Sequence, residues 1–205
     1  MWAGRATPCK GSRHVTGNAA QLPPGLRPRF TDVQIRDRVG LMARRIAKDH
    51  PGGVVLVGVL NGGAFLLADL ARLISVPVWV DFLRLRSYGN ERTSGETAEI
   101  TKDIEIDITG LDVVVVEDIV DTGRSFQYLC RHFAAKNAGS LAFCALIDKR
   151  ERREVEVKID YPGFRLDMGF VVGYGMDCAG AFRHLPHIYV LPEPEPKNQK
   201  SEDQE

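Results

Sequence analysis

A run of acids followed by small polar residues lies in the middle of the chain. Glu117 and Asp118 come directly after the apolar sequence VVVV, and Asp121 follows them at a short distance. Thr-Gly-Arg-Ser occupies positions 122–125. Carboxylates suit sugar hydroxyls or a hard cation such as Mg²⁺, which takes oxygen ligands. The segment therefore predicts a site for a ligand that carries a diol, a metal and a phosphate.

The residues from Thr122 to Ser125 have the features of a phosphate-binding turn. Backbone amides at a helix N-terminus are unpaired, and the helix dipole favours an anion there. Gly123 permits a tight turn and a close approach of the backbone, and the two hydroxyls can donate further hydrogen bonds. The alternative is that Asp121 or Thr122 only caps a helix. An apolar strand, an acid pair, a third acid and a Gly-Arg-Ser helix start all coincide here, which favours the ligand site.

Apolar patterns predict the elements that position this segment. Residues 54–60 and 111–116 are continuous apolar runs, typical of strands covered on both faces. A helix is predicted from Thr31, which can form a capping box with Gln34, and further helices follow at 64–74 and 126–137. Strict alternation over 100–108 predicts an antiparallel strand with one exposed face. Further strands are predicted at 76–86 and 140–147, with short ones near 170–175 and 187–191.

This alternation of strands and helices predicts a single α/β domain with a mostly parallel sheet. Ligands of such sheets bind beyond the carboxyl ends of the strands, where the acids stand. We predict that residues 31–192 form the domain and that residues 1–30 and 193–205 are disordered tails.

Composition narrows the function classes. The formal net charge is zero and charged residues make up 26% of the chain, so nothing in the totals favours a nucleic-acid partner. We predict no membrane partner, because no stretch approaches the roughly 20 apolar residues that span a bilayer. The four cysteines form no CxxC pair, which fits a reducing, cytoplasmic location.

The sequence VVVVEDIVDTGRS, residues 113–125, resembles the motif that binds 5-phosphoribosyl-1-pyrophosphate (PRPP) in type I phosphoribosyltransferases. Its E-D-I-V-D-T-G form is similar to that of the hypoxanthine-guanine phosphoribosyltransferase family. The resemblance extends over roughly residues 32–191 and includes, in order, LNGGAF (60–65), VDFLRLRSYGNERTSGE (80–96), LIDKR (146–150), FVVGYGMD (170–177) and FRHLP (182–186).

The resemblance implies a fold and an activity. The fold would be a twisted, mostly parallel sheet flanked by helices, with a small hood formed by N- and C-terminal segments. The enzyme would transfer the phosphoribosyl group of PRPP to N9 of a 6-oxopurine: hypoxanthine, guanine or xanthine. Mg²⁺ would be the cofactor, PRPP and a purine base the partners, and a homodimer or homotetramer the assembly.

The same resemblance assigns roles on the PRPP side. Asp121 would be the catalytic residue, taking or giving the proton at purine N7. Glu117 and Asp118 would hold the ribose hydroxyls, partly through Mg²⁺. The full set of PRPP-binding residues would be Glu117, Asp118, Thr122, Gly123, Arg124, Ser125, Asn61, Gly62 and Arg183.

The purine pocket is assigned in the same way. Lys149 would donate to the 6-oxo group, Phe170 would stack on the ring, and the backbone of Val171 would read the base edge. Asp177 would bind a second Mg²⁺ that bridges pyrophosphate oxygens, and a closing loop would carry Ser87 and Tyr88. Without the resemblance, a lysine in a charged run is a solvated residue and an aromatic at a strand start is a core residue.

Four positions depart from the family pattern. Arg124 and Ser125 replace a common Lys and Thr, and both keep the needed chemistry. Asn61 stands where the family often has Lys, and Cys178 stands where an aromatic residue is frequent. The alternative function is a regulatory or RNA-binding protein built on the same fold, with little or no enzyme activity. Such proteins typically carry paired aspartates and lack the third acid, whereas this chain has Glu117 and Asp121.

Overall fold

The computed structural model describes residues 22–87 and 98–192. Three helices are present in this part of the chain, α1 (Asp32–Asp49), α2 (Gly63–Leu73) and α3 (Arg124–Ala134). The strands are β1 (Val54–Leu60), β2 (Val78–Ser87), β3 (Ala98–Lys102), β4 (Asp112–Val120), β5 (Ser140–Lys149), β6 (Tyr161–Leu166), β7 (Phe170–Val172) and β8 (Tyr189–Leu191).

Six of these strands form one sheet in the order β3-β2-β1-β4-β5-β6. Neighbouring strands run parallel except β3, which pairs antiparallel with β2 at the edge of the sheet. The chain steps outward from β1 to β2 on one side and resumes at β4 on the other side of β1. This reversal of direction is the switch point at which open parallel sheets bind ligands.

Two apolar layers cover the sheet. Alternate residues of β1 and β4 point to opposite faces, so Leu56 and Val114 join the core beneath α1 and α2, whereas Val57 and Val115 join the core beneath α3. All four side chains are buried. The predicted strands covered on both faces, and the mostly parallel sheet flanked by helices, are confirmed.

The first helix begins where the sequence predicts it. The Thr31 side chain accepts a hydrogen bond from the Gln34 amide, and the Gln34 side chain accepts one from the Thr31 amide, which completes the capping box. The buried residues of α1 form the apolar stripe Ile35, Val39, Met42, Ala43 and Ile46.

The antiparallel strand predicted over 100–108 is shorter than expected, because β3 ends at Lys102. Carboxylates take up the amides that follow. Asp103 Oδ1 accepts from the Ile104 amide at 2.8 Å, and Asp81 Oδ2 accepts from the amides of Glu105 and Ile106 at 2.6 and 2.9 Å. These amides are therefore bonded to side chains instead of a neighbouring strand.

The sequence analysis missed β6, whose Pro162-Gly163 pair is typical of a turn. β6 is an edge strand, where Pro is tolerated because one side of the strand needs no ladder hydrogen bond. Gly163 is required by close packing, since a Cβ there would meet the backbone oxygen of Leu146.

A second, two-stranded antiparallel sheet is formed by β7 and β8. Residues 22–30, which fall in the segment predicted to be a tail, contact this region: Leu22 and Leu26 pack against its apolar cluster, and Phe30 is buried and bridges to Ile188. The packed structure thus begins before residue 31, because apolar side chains of this segment have partners in the C-terminal part. Residues 1–21 and 193–205 lie outside the described residues. No helix in the described part of the chain is long and apolar enough to cross a membrane.

Candidate active site

The carboxyl ends of β1, β4 and β5 meet at one edge of the sheet, because these strands are adjacent and parallel. β1 delivers Asn61 and Gly62, β4 delivers the acids and the turn after Val120, and β5 ends on Lys149. Residues far apart in the sequence are therefore brought together at this edge.

Glu117 and Asp118 are consecutive in β4, so their side chains leave opposite faces of the sheet. Glu117 lines a cavity beneath the start of α3, whereas the Asp118 carboxylate lies against Gly62, where any Cβ would overlap it. Burial and the neighbouring Asp118 charge raise the pKa of Glu117 well above its usual value. Burial also raises the pKa of Asp118, although the Ile119 amide and Arg183 favour its charged form.

The turn after β4 leads directly into α3. Gly123 adopts a left-handed conformation with φ 86°, and α3 begins at the next residue. The N-cap residue of α3 is Gly123, which has no side chain with which to cap the helix. Thr122 Oγ1 instead accepts from the Arg124 amide at 3.3 Å. A cavity of about 120 Å³ borders this turn, with Thr122, Gly123 and Ser125 in its wall.

Asp121 lies in the wall of the same cavity and has an incomplete set of partners. Its Oδ1 is the one buried side-chain oxygen or nitrogen, among the residues described, that has no hydrogen-bond partner. Its Oδ2 is 3.8 Å from Lys149 Nζ and 3.7 Å from an Arg152 guanidinium nitrogen, too far for a hydrogen bond. An unpaired buried acceptor costs on the order of 1–3 kcal/mol, which a proton-donating ligand would offset.

Lys149 is buried, with 8% of its side chain exposed, despite the charged run in which it lies. Its ammonium is 3.5 Å from the Glu151 carboxylate. Glu151 also accepts from the Gly169 amide at 3.1 Å, which ties the end of β5 to the start of β7. Phe170 and Val171 follow in β7, where Phe170 is partly exposed and Val171 is buried. The interpretation of Lys149 as a solvated charge is thus wrong for this structure.

The loop after β1 packs tightly against its neighbours. The Leu60–Asn61 peptide bond is cis, and a Cβ on Gly63 would lie 2.5 Å from the Val116 backbone oxygen. Asn61 is exposed, and its Oδ1 accepts from Arg84 at 3.0 Å. The side chain that replaces the frequent Lys of the family therefore contacts a cation instead of supplying one.

Arg183 and Asp177 approach this loop from the C-terminal part of the chain. They form an ion pair with a 2.6 Å separation, and Arg183 also donates to the Gly175 backbone oxygen. Gly175 packs on the backbone of Gly62, with φ 94°. Arg183 favours the charged form of Asp118 and Asp177 opposes it, so these three charges act on one another.

Most of the predicted site residues lie along this edge, but two do not enter the geometry. Ser87 ends β2, and its side chain is not among those described. Tyr88 lies outside the described residues.

Sequence reasoning missed Asp148 and Arg153, which form a buried ion pair with 2.6 Å between their atoms. The charged sequence DKRERR (148–153) does not indicate which acid and which arginine are buried.

The carboxylates fit a magnesium site that is completed by a ligand. Within the described residues, no group of three or more His, Cys, Asp or Glu is arranged to hold a metal. Mg²⁺ usually takes one or two protein carboxylates and fills its other positions with water and substrate phosphates. Glu117 and Asp118 are neighbouring acids whose negative charges are disfavoured by burial, and a bound cation would relieve this.

Comparison with known proteins decides the family. Residues 34–178 match the model of the phosphoribosyl transferase domain. Hypoxanthine phosphoribosyltransferase of Salmonella typhimurium is 40% identical over 160 residues, which cover 77% of this chain and 90% of that protein. The chain belongs to the hypoxanthine-guanine phosphoribosyltransferase family. The predicted resemblance is confirmed.

Solved structures of the hypoxanthine-guanine phosphoribosyltransferase family share the fold. A Bacillus anthracis hypoxanthine-guanine phosphoribosyltransferase with HEPES in its active site is 38% identical with a TM-score of 0.77, covering 81% of this chain and 98% of its own. Hypoxanthine phosphoribosyltransferase of Trypanosoma cruzi, in complex with the product IMP, is 34% identical with a TM-score of 0.77 over 84% of this chain and 98% of its own.

Proposed function

We propose that this chain transfers the phosphoribosyl group of PRPP to N9 of a 6-oxopurine, giving a nucleoside monophosphate and pyrophosphate. The chain is a phosphoribosyltransferase by family, and its relatives include hypoxanthine and hypoxanthine-guanine phosphoribosyltransferases. The Trypanosoma cruzi relative was solved with the product IMP, which is the hypoxanthine nucleotide. The regulatory alternative gains no support from these relatives.

The observation that carries the proposal is the unpartnered Oδ1 of Asp121 beside Lys149. A purine whose 6-oxo group accepts a hydrogen bond from Lys149 would bring an imidazole N–H toward this carboxylate. As N9 bonds to C1 of the ribose and the bond from C1 to pyrophosphate breaks, the N7 proton passes to Asp121. This is general base catalysis by a positioned carboxylate.

Residues on the PRPP side have chemistries that match its parts. The amides and hydroxyls from Thr122 to Ser125 would hold the 5-phosphate at the start of α3, with the helix dipole contributing. Glu117 and Asp118 would hold the ribose hydroxyls. Arg183 and the backbone of Asn61 and Gly62 would hold pyrophosphate, on which negative charge accumulates as it leaves.

The purine would lie between β5 and β7. Phe170 is partly exposed and offers a flat apolar face, and the Val171 backbone would read the base edge. Ser87 and Tyr88, on the segment between β2 and β3, would exclude water from the sugar cation; this role stays a prediction.

Mg²⁺ would be held by Glu117 and Asp118, and a second ion by Asp177, with substrate oxygens as the remaining ligands. When bound, the metal neutralises the charge that develops on pyrophosphate. Asp177 forms an ion pair with Arg183 in the free protein. Binding of the second ion would therefore require the Asp177 carboxylate to contact the metal and Arg183 to contact the pyrophosphate. Assembly as a homodimer or homotetramer and a cytoplasmic location belong to the proposal as expectations from the family.

A pyrophosphate-release assay tests the proposal. The purified chain with PRPP and Mg²⁺ is given hypoxanthine, guanine, xanthine or adenine in turn. We expect turnover with at least one 6-oxopurine and a rate at least about 10²-fold lower with adenine, because Lys149 would meet the adenine amino group donor to donor. Equal turnover of adenine, or no turnover of any purine together with RNA retention on a filter, would contradict the proposal.

A further inference from the structure

A buried arginine bonds to the backbone of both residues to which the proposed chemistry is assigned. Arg153 Nε donates to the backbone oxygen of Asp121 at 2.9 Å. One of its terminal nitrogens donates to the backbone oxygens of Val120 at 3.1 Å and Lys149 at 3.0 Å. The same nitrogen is 2.6 Å from Asp148 Oδ1. One guanidinium therefore bonds the end of β4 and the end of β5 at once.

The arrangement is buried, and one guanidinium group contacts all four acceptors. Arg153 and Asp148 have 8% and 9% of their side chains exposed. A planar guanidinium holds several acceptors in one fixed fork, which the flexible stem and compact charge of lysine cannot reproduce. A buried ion pair often adds little net stability over apolar residues of the same volume. The role of the Arg153–Asp148 pair therefore lies in the geometry that it fixes.

The residues next to Arg153 brace the same turn. The amides of Glu154 and Val155 both donate to the Thr122 backbone oxygen, at 2.9 and 3.0 Å. Glu154 also forms an ion pair with Arg124. The turn that carries Asp121 is thus tied to this segment by backbone and side-chain contacts, and Arg153 is the member that also reaches Lys149.

We propose that Arg153 is a positioning residue that sets the separation of the Asp121 carboxylate and the Lys149 ammonium, 3.8 Å apart in this structure. This inference rests on the proposed function, because it acts through the residues assigned to proton transfer and to the 6-oxo group. Arg153 itself does not touch the substrate. A displacement of the order of 1 Å at such a site can lower turnover about 10²-fold.

The test compares two neighbouring Arg→Lys substitutions. Arg150 contacts the same Asp148 carboxylate at 3.1 Å, but its side chain donates to no backbone oxygen of the Asp121 turn. We expect Arg153→Lys to lower kcat by about 10- to 100-fold with little change in the KM for PRPP. Arg150→Lys should stay within about 3-fold of the wild-type kcat.

A double-mutant cycle then separates positioning from general weakening of the fold. If Arg153 acts through Asp121, Arg153→Lys should lower kcat by less than about 3-fold once Asp121→Asn is present, because the group it positions is gone. Thermal unfolding of each variant provides the folded fraction to which kcat is referred. Arg153→Gln, which keeps one amide donor, replaces Arg153→Lys if the latter does not fold.

Several results would overturn the proposal. A wild-type kcat in Arg153→Lys would do so, as would an equal loss in the presence and absence of Asp121→Asn, or equal losses in Arg150→Lys and Arg153→Lys. Failure of both Arg153 variants to fold would assign the network to stability alone. An inactive wild-type chain would instead contradict the proposed function, so the two failures are distinguishable.

Discussion

At the residue scale, Asp121 has the features of a group kept available for a ligand. It follows the last residue of β4 and lies beside two cations, yet one oxygen of its carboxylate has no partner among the described residues. Native structures hydrogen-bond nearly all buried polar groups, so an exception at the edge of a cavity calls for a functional cause. The proposed reaction supplies one, because its general base must accept a proton from the purine.

Asp121→Asn tests this role. The amide cannot accept the proton but keeps the size of the side chain, so we expect kcat to fall by about 10²- to 10⁴-fold while PRPP affinity changes little. Steady-state kinetics with PRPP and the preferred purine, together with direct titration of PRPP binding, measure the two effects separately. Parallel losses in turnover and affinity would assign Asp121 to binding instead.

The sequence predicts one class of site residue and misses another. The Val-rich strand β4 is followed by Asp121, Thr122 and Gly123. The types and spacing of these residues indicate a site for a sugar phosphate. Arg153 cannot be recognised in this way, because its partners are mostly backbone oxygens at the ends of two other strands. Backbone oxygens leave no pattern in a sequence, so only the folded arrangement distinguishes Arg153 from the exposed arginines beside it.

At the element scale, the same contrast applies to the strands. β1 and β4 are continuous apolar runs, and burial on both faces makes such runs recognisable. β3 ends before its alternating pattern does, and β6 contains a Pro-Gly pair, because side-chain carboxylates and an edge position override local propensity. The edges of the sheet are thus less predictable than its centre.

Asp81, in β2, is the side chain that makes this difference at the edge formed by β3. Burial alone would raise its pKa, but hydrogen bonds from the Ile106, Phe82 and Glu105 amides, together with Lys102, lower the pKa below its usual value of 3.8. A carboxyl with a lowered pKa stabilises the folded state above the pKa of the unfolded chain, and this contribution is lost as the pH falls through the folded value.

Asp81→Asn should therefore lower the free energy of unfolding by about 1–3 kcal/mol at pH 6, because an amide nitrogen would replace an oxygen that accepts backbone donors. The gap between variant and wild type should narrow below about pH 4, where the wild-type carboxyl also becomes protonated. Urea unfolding at several pH values measures the gap. Asp107→Asn, at an exposed turn, is the matched control and should have the smaller effect, because Thr109 is the one residue that donates to this carboxylate in the described part of the chain. A gap that is independent of pH would contradict this account.

At the scale of the whole molecule, the fold concentrates negative charge where three parallel strands end. Burial and the Asp118 charge raise the pKa of Glu117, and burial and the Asp177 charge act to raise the pKa of Asp118. The apolar layers on both faces of the sheet hold these acids in place without a ligand. The free protein therefore carries an electrostatic cost at its site, which a bound cation would offset.

PRPP and Mg²⁺ should for this reason stabilise the protein jointly. A ligand that binds only the folded state at about 100 times its Kd adds about 2.7 kcal/mol, which for a domain of this size raises Tm by roughly 5–10 °C. We expect that shift with both present, and a much smaller one with PRPP in the presence of EDTA, since the acids would then repel the phosphates. Differential scanning fluorimetry with each ligand alone and with both measures it. An equal shift with PRPP in EDTA would show that the carboxylates bind the sugar without a metal, and would remove Mg²⁺ from the proposed site.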